Sequence, residues 1–256
     1  MTEVEWSRMK AYEVKARQAE DAIVIVPVGS FEQHGPHLPV QVDALLAGEV
    51  ARRAGVKIAQ TQPVIVTPTV WCGLAEHHMS FGGTITLDFD TFQSLLRCIC
   101  KSLIRQGFRR ILLLNGHGGN ISALSVISDT LSREFDLPIA TATYWVPARE
   151  AMAKVLEHQE SIGHACEAET SMLLALCPDL VDVEAMNTVK APLGGLFDQG
   201  GVHIWRSTAY WSETGVIGVP AAASAEKGEA LLEAAATALA GRLNAGGIWG
   251  SEAARA

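Results

Sequence analysis

Apolar positions along the chain follow two patterns that take turns. Ala22–Val28 (AIVIVPV) is an unbroken, β-branched apolar run, which is how a strand buried on both faces reads. Val64–Val70, Arg110–Leu114 and Pro138–Tyr144 are predicted as further strands. Between them the period lengthens. In Asp90–Gln106 the residues Phe92, Leu95, Leu96, Ile99 and Leu103 fall on one helical stripe, and Gly107 follows as a C-cap. Helices are also predicted over Asp43–Arg53, Asn120–Glu134, Ala165–Leu176 and Ala225–Asn244. This alternation predicts an α/β fold with a mostly parallel central sheet and helices on both faces. The 256 residues suit a single domain. Pro192–Pro220, rich in glycine and aromatic residues, has no clear period and reads as a long loop.

Ligands of such sheets bind beyond the C-terminal strand ends, so chemically able residues should gather there. After the first strand come Gly29-Ser-Phe-Glu32-Gln-His34-Gly-Pro-His37, and after the third Asn115-Gly-His117-Gly118-Gly119-Asn120. Tyr144 and Trp145 follow the fourth. Glu32 and His34, two apart in extended chain, point the same way, and Asp43 at the next helix start can return a carboxylate to them. Carboxylate plus imidazole suits Zn, Mn or Fe. A surface loop that happens to hold acids and histidines is the alternative. Gly118 and Gly119 let the backbone approach a ligand closely, with His117 at the strand end. Without a full GxGxxG or a GKS/GKT, a nucleotide-phosphate cradle has little support. On a helix His164 and Glu167, three apart, project together, as a metal pair or as an ordinary surface pair; Glu169 points elsewhere. His77 and His78 read as a mobile loop near the site and as candidates for substrate binding.

Composition narrows the field. The net charge of −8 comes without any cluster of Lys or Arg, so a nucleic-acid partner is not expected. No run is long and apolar enough for a membrane span or a signal peptide. The five scattered cysteines form no CxxC pair or disulfide framework, and a reduced, cytoplasmic protein is expected. Ser30 lacks a GxSxG elbow. Cys166 stands beside a carboxylate that discourages a thiolate.

GSFEQHGPHLPVQVDALLA, NGHGGN, HACEAETSMLLAL and GVPAAASAEKGEALL together resemble the creatininase (creatinine amidohydrolase) family, from about Trp6 to the C-terminal helix. The resemblance implies a three-layer α/β/α sandwich with two divalent metal ions, Zn, Mn or Fe. It makes Glu32, His34, Asp43 and His117 ligands, with Asp43 bridging, and His164 the catalytic histidine. Where creatininase has a glutamate ligand this chain has Gly119, and Glu167 is the expected substitute, both as ligand and in catalysis. Tyr144 and Trp145 match a substrate-packing segment. The second tryptophan of that family, on a lid, has no match in Leu156–Ile162. The implied reaction is hydrolysis of a small-molecule amide, creatinine-like or a formamide or short peptide, by a homo-oligomer that can be a hexamer. A non-catalytic metal-binding or small-molecule-binding module, weakened at Gly119, is the contrasting expectation. A sugar-phosphate or nucleotide enzyme, with phosphate at the Gly116–Asn120 turn and no metal requirement, is a further one.

Overall fold

The structure is a computed structural model that describes residues 2–159, 161–192 and 204–249. Strands β1 (Ile23–Val28), β2 (Val64–Val66), β3 (Arg110–Asn115) and β4 (Ile139–Thr143) form one sheet in the order β2-β1-β3-β4. Every pairing is parallel. Ile23 stands opposite Val64 on one side and Arg110 on the other, and Ile111 stands opposite Ile139. The helices are α1 (Ala11–Ala19), α2 (Val42–Ile58), α3 (Phe89–Arg105), α4 (Ile121–Phe135), α5 (Arg149–Ala153), α6 (Glu167–Leu176), α7 (Val183–Thr188), α8 (Thr208–Trp211) and α9 (Ala225–Asn244).

Side-chain alternation along the strands sorts the helices into two layers. Ile23, Ile25, Leu112 and Leu114 pack with Val42 and Leu46 of α2, Met172 of α6 and Leu231 and Leu239 of α9. Val24, Val26, Ile111 and Leu113 face the other way, onto Val14 of α1, Phe92 and Leu96 of α3 and Leu124 and Ile127 of α4. The central strands are buried along their length, which is why they read as continuous apolar runs. The result is the expected α/β/α sandwich. Among the described residues no helix is long and apolar enough to cross a membrane.

The helix expected over Asp43–Arg53 runs on to Ile58, and α1, α5 and α7 have no counterpart among the helices expected from the sequence; three further differences have a local reason. The second strand stops at Val66 instead of Val70, because Pro68 cannot donate to the ladder; Val70 returns only as an isolated bridge to Val28. The helix expected from Ala165 starts at Glu167. Ala165 itself has a left-handed φ of 50°, so His164 is not helical. Part of the expected Pro192–Pro220 loop folds as α8, while residues 193–203 lie outside the described residues.

The chain leaves β1 toward β2 on one side and comes back to β3 on the other, so the switch point lies between the C-terminal ends of β1 and β3. Glycines at those two ends let α2 come close. A Cβ on Gly29 would overlap the backbone of Ala44, and one on Gly116 would stand 2.8 Å from the Asp43 carbonyl. Gly118, by contrast, has no atom within 4 Å of its would-be Cβ. Gly29→Ala should therefore destabilise the protein by about 1–3 kcal/mol through overpacking, whereas Gly118→Ala should change stability by less than about 0.5 kcal/mol. Denaturant unfolding of both variants checks this, and equal midpoints would refute the close approach.

Candidate active site

Asp43, in the first turn of α2, is drawn by that close approach into the switch point, where it is only 3% exposed. Its carboxylate divides between two imidazoles. Oδ1 is 3.2 Å from His34 Nε2, and Oδ2 is 2.9 Å from His117 Nδ1. His117 Nε2 also reaches Glu32 Oε2 at 3.2 Å, and His78 Nε2 reaches Glu32 Oε1 at 3.1 Å. His164 Nδ1 stands 3.7 Å from the same Oε1. Glu32, His34, Asp43, His78 and His117 are all essentially buried.

Sequence-local hydrogen bonds aim these groups. The Glu32 carbonyl accepts from His34 Nδ1 at 3.0 Å, which turns Nε2 toward Asp43. Ser30 Oγ donates to Glu32 Oε2 at 2.8 Å. The asparagines of NGHGGN hold the second loop. Asn115 accepts from the His117 amide at 3.0 Å and donates to its carbonyl at 2.7 Å. Asn120 donates to the Gly29 carbonyl and accepts from the Leu74 amide. The loops after β1 and β3 are thereby tied to each other and to the segment before His77.

Burial acts against every charge here, and opposite charges decide the outcome. It pushes Glu32 up, but the imidazoles of His117 and His78 outweigh it and hold the carboxyl well below its usual range. It pushes His34 down, but Asp43 raises it to about 9. Burial likewise lowers His117, yet Glu32 and Asp43 place it well above 6.5. His164 goes the other way, held well below 6.5 by burial and by His34 and His78. Its Nε2 is 2.8 Å from the Gln33 backbone carbonyl and 3.1 Å from the Gln33 side-chain amide nitrogen; the shorter contact, to an acceptor, favours Nε2–H. Nδ1 is then the free lone pair, on the side of Glu32.

Glu167 and Glu169 exchange the places expected of them. Glu167 is fully buried but turned away, accepting from the amides of Glu157 and His158 and from Lys227. Glu169, 4% exposed, joins His34 and Asp43. One of its oxygens caps the Ala165 amide at 2.6 Å, and burial pushes its carboxyl up to about 7. The i,i+3 argument for His164 and Glu167 presumed a helix through both, and the helix begins only at Glu167.

Three ligand-type groups result: Glu32, Asp43 and His117; His34, Asp43 and Glu169; and Glu32, His34 and His164. Glu32 Oε1, His34 Nε2 and Asp43 Oδ2 are buried, and among the described residues none makes a hydrogen bond of good geometry. They face one another across the cluster, a donor set that fits divalent ions. Gly119 leaves no room for a ligand of its own, because a Cβ there would overlap His117 Nε2 and stand 2.7 Å from His77 Cε1. Gly118 is exposed and open. Tyr144 is buried in the core, edge-on to half-buried Trp145. His78 belongs to the cluster, and half-buried His77 stacks on His117 at 5.4 Å. Gln33, given no role from sequence, places its amide nitrogen 2.8 Å from His78 Nδ1; nothing in a single glutamine between Glu32 and His34 signals that.

The sequence profile of the creatininase family, described as creatinine amidohydrolase, matches residues 7–243. Creatinine amidohydrolase from Pseudomonas putida is 31% identical over 88% of this chain and 89% of its own. A mycofactocin precursor peptide peptidase from Mycolicibacterium smegmatis is 35% identical over 81% and 78%. A solved creatininase, described as a Mn form, superposes with a TM-score of 0.82 at 27% identity, covering 95% of this chain and 98% of that one. Fold, switch-point cluster and these likenesses agree: the chain belongs to the creatininase family and is a hydrolase acting on carbon–nitrogen bonds.

Proposed function

We propose that this protein is a metal-dependent amidohydrolase that opens a small cyclic amide of the creatinine type. The division of the Asp43 carboxylate carries this reading. Oδ1 lies beside His34 and Oδ2 beside His117, and Asp43 belongs both to the group with His34 and Glu169 and to the group with Glu32 and His117, which would suit a carboxylate serving two divalent ions. Glu32, Asp43 and His117 would hold one ion, and His34, Asp43 and Glu169 the other. Solved creatininases described as Mn and Zn–Zn forms support this choice of ions. When bound, such ions act as Lewis acids on a carbonyl and lower the pKa of water. The chain's own residues supply the proton traffic. His164, neutral near pH 7 and with Nδ1 unprotonated on the side of Glu32, takes a proton there and returns it to the departing nitrogen. The Gln33 carbonyl favours the tautomer that makes this possible. Trp145, half-buried just after β4, is the candidate to pack against a planar amide, by its match to the substrate-packing segment of the family. A peptide substrate is the second reading, supported by the 35% identity to a peptidase.

The governing experiment pairs metal content by plasma mass spectrometry with a hydrolysis screen of creatinine, other lactams, formamides and short peptides. Chelator-sensitive turnover of creatinine is expected, and metal-free turnover would overturn the proposal. Among variants, Glu169→Gln should lose roughly half of the bound metal, since a neutral amide is a far weaker ligand than a carboxylate, while Glu167→Gln should retain it. The opposite pattern would return the ligand role to Glu167.

His164→Ala should keep its metal and lose on the order of 10²–10⁴ in kcat, the usual worth of a positioned general acid–base. Full activity in that variant would remove His164 from the chemistry.

Metal uptake should also release protons. In the metal-free protein His34 holds its proton up to about pH 9, and a ligand must give that proton up. Apparent affinity should therefore rise with pH through neutrality toward about 9. Titration calorimetry in buffers of different ionisation enthalpy reads the proton count at pH 7, and a count of zero would contradict the raised His34.

A further inference from the structure

The SAEKG segment that opens α9 lies outside the ligand cluster, yet it is tied to the chain leading into His164. Lys227 stands in the first turn of α9, where the helix dipole disfavours a cation. Its ammonium donates to Glu167 Oε1 at 2.7 Å and to the Ala222 carbonyl at 2.6 Å, and it lies 2.7 Å from Glu157 Oε1. All of its donors are thus used. Glu167, fully buried at the start of α6, accepts in addition from the Glu157 amide at 3.1 Å and the His158 amide at 3.2 Å. A buried carboxylate is costly without such partners, and here they come from two segments distant in sequence. The next residue fixes the register between α9 and α6, since a Cβ on Gly228 would overlap the Ser171 carbonyl.

The segment these bonds grip has no regular structure between Val155 and Gly163 among the described residues. Gln159 lies against Gly163, whose would-be Cβ stands 2.8 Å from its amide nitrogen. His164 then exchanges backbone hydrogen bonds with Ile217 at 3.1 and 2.8 Å, and Ala165 turns through its left-handed φ into α6. His164 is therefore held by the Ile217 bridge on one side and by the grip on residues 157 and 158 on the other.

We propose that Lys227 and Glu167 form a latch, with Lys227 a positioning residue that fixes Glu157 and His158 in the chain leading to His164 and so sets where His164 presents Nδ1. The proposal rests on the role of His164 given above.

The test compares Lys227→Met and Lys227→Arg with the unaltered protein, all metal-loaded, by amide hydrogen exchange, metal content and creatinine kinetics. In Lys227→Met, exchange in peptides covering residues 154–163 should speed up by roughly tenfold or more, with metal content unchanged. The kcat should fall on the order of 10–100-fold with KM changed much less, as expected when a reacting group is misplaced by about 1 Å. Lys227→Arg, which keeps the cation, should recover most of both. If Lys227→Met fails to fold, Lys227→Gln is measured against the same criteria. Unchanged exchange, or faster exchange with unchanged kcat, would overturn the latch, as would a loss confined to thermal stability. If the unaltered protein does not hydrolyse creatinine, the substrate reading fails, while the exchange comparison still decides whether Lys227 holds the segment.

Discussion

A carboxylate moved out of water costs several kcal/mol unless charge or hydrogen bonds meet it. Asp43 is 3% exposed and is met on both oxygens, by His34 on one and His117 on the other. The rest of the site follows from that requirement. Glu32 is buried beside His117 and His78, and Glu169 beside His34 and Asp43. In the metal-free protein the compensating positive charge is carried by protons, which is why His34 and His117 are raised while Glu32 is lowered. Protons and divalent ions compete for the same lone pairs. The cluster is therefore compensated by its own imidazoles, and a divalent ion binding there would have to displace their protons.

Geometry brings these residues together at little expense elsewhere. The parallel sheet delivers two loops to the switch point between β1 and β3, one carrying Glu32 and His34 and the other His117. Asp43 comes from the start of α2 and Glu169 from the first turn of α6; Asp43 reaches the site because Gly29 and Gly116 leave the strand ends without side chains. Removing those side chains forfeits a little backbone restraint and gains a carboxylate aimed at both loops. Asn115 and Asn120 then tie the two loops through backbone groups that would otherwise be left unpaired.

How much of this was legible in the sequence divides along the same line. The strands and the helices that cover them follow from period alone, because burial on both faces writes an unbroken apolar run. That Glu32, His34 and His117 would gather in one place was legible because each follows a strand by a few residues, where the fold rule already points. Pro68 shortened the second strand for a reason visible in the sequence, though the apolar run to Val70 obscured it. The third motif misled for a subtler reason. A helical wheel drawn from Ala165 pairs His164 with Glu167, but Ala165 takes a left-handed φ that propensity does not forecast. With the helix starting two residues later, Glu169 turns inward and Glu167 turns toward Lys227.

That displacement also explains how the cluster does without a carboxylate at Gly119. The space a side chain would need there is filled by the imidazoles of His117 and His77 and the Leu74 carbonyl. The loop after β3 can therefore close tightly on the segment before His77, with His117 Nε2 3.1 Å from the Leu74 carbonyl. The carboxylate that faces His34 arrives instead from α6, across the cluster, where the fold already holds a rigid helix start capped by that same side chain at Ala165. Glu169 thus has two tasks, one oxygen ordering the turn that leads out of His164 and the carboxylate as a whole completing a charge cluster with His34 and Asp43. Joining those tasks in one residue couples the position of His164 to the integrity of the cluster, since the side chain that orders the turn after His164 is the one that faces His34 and Asp43.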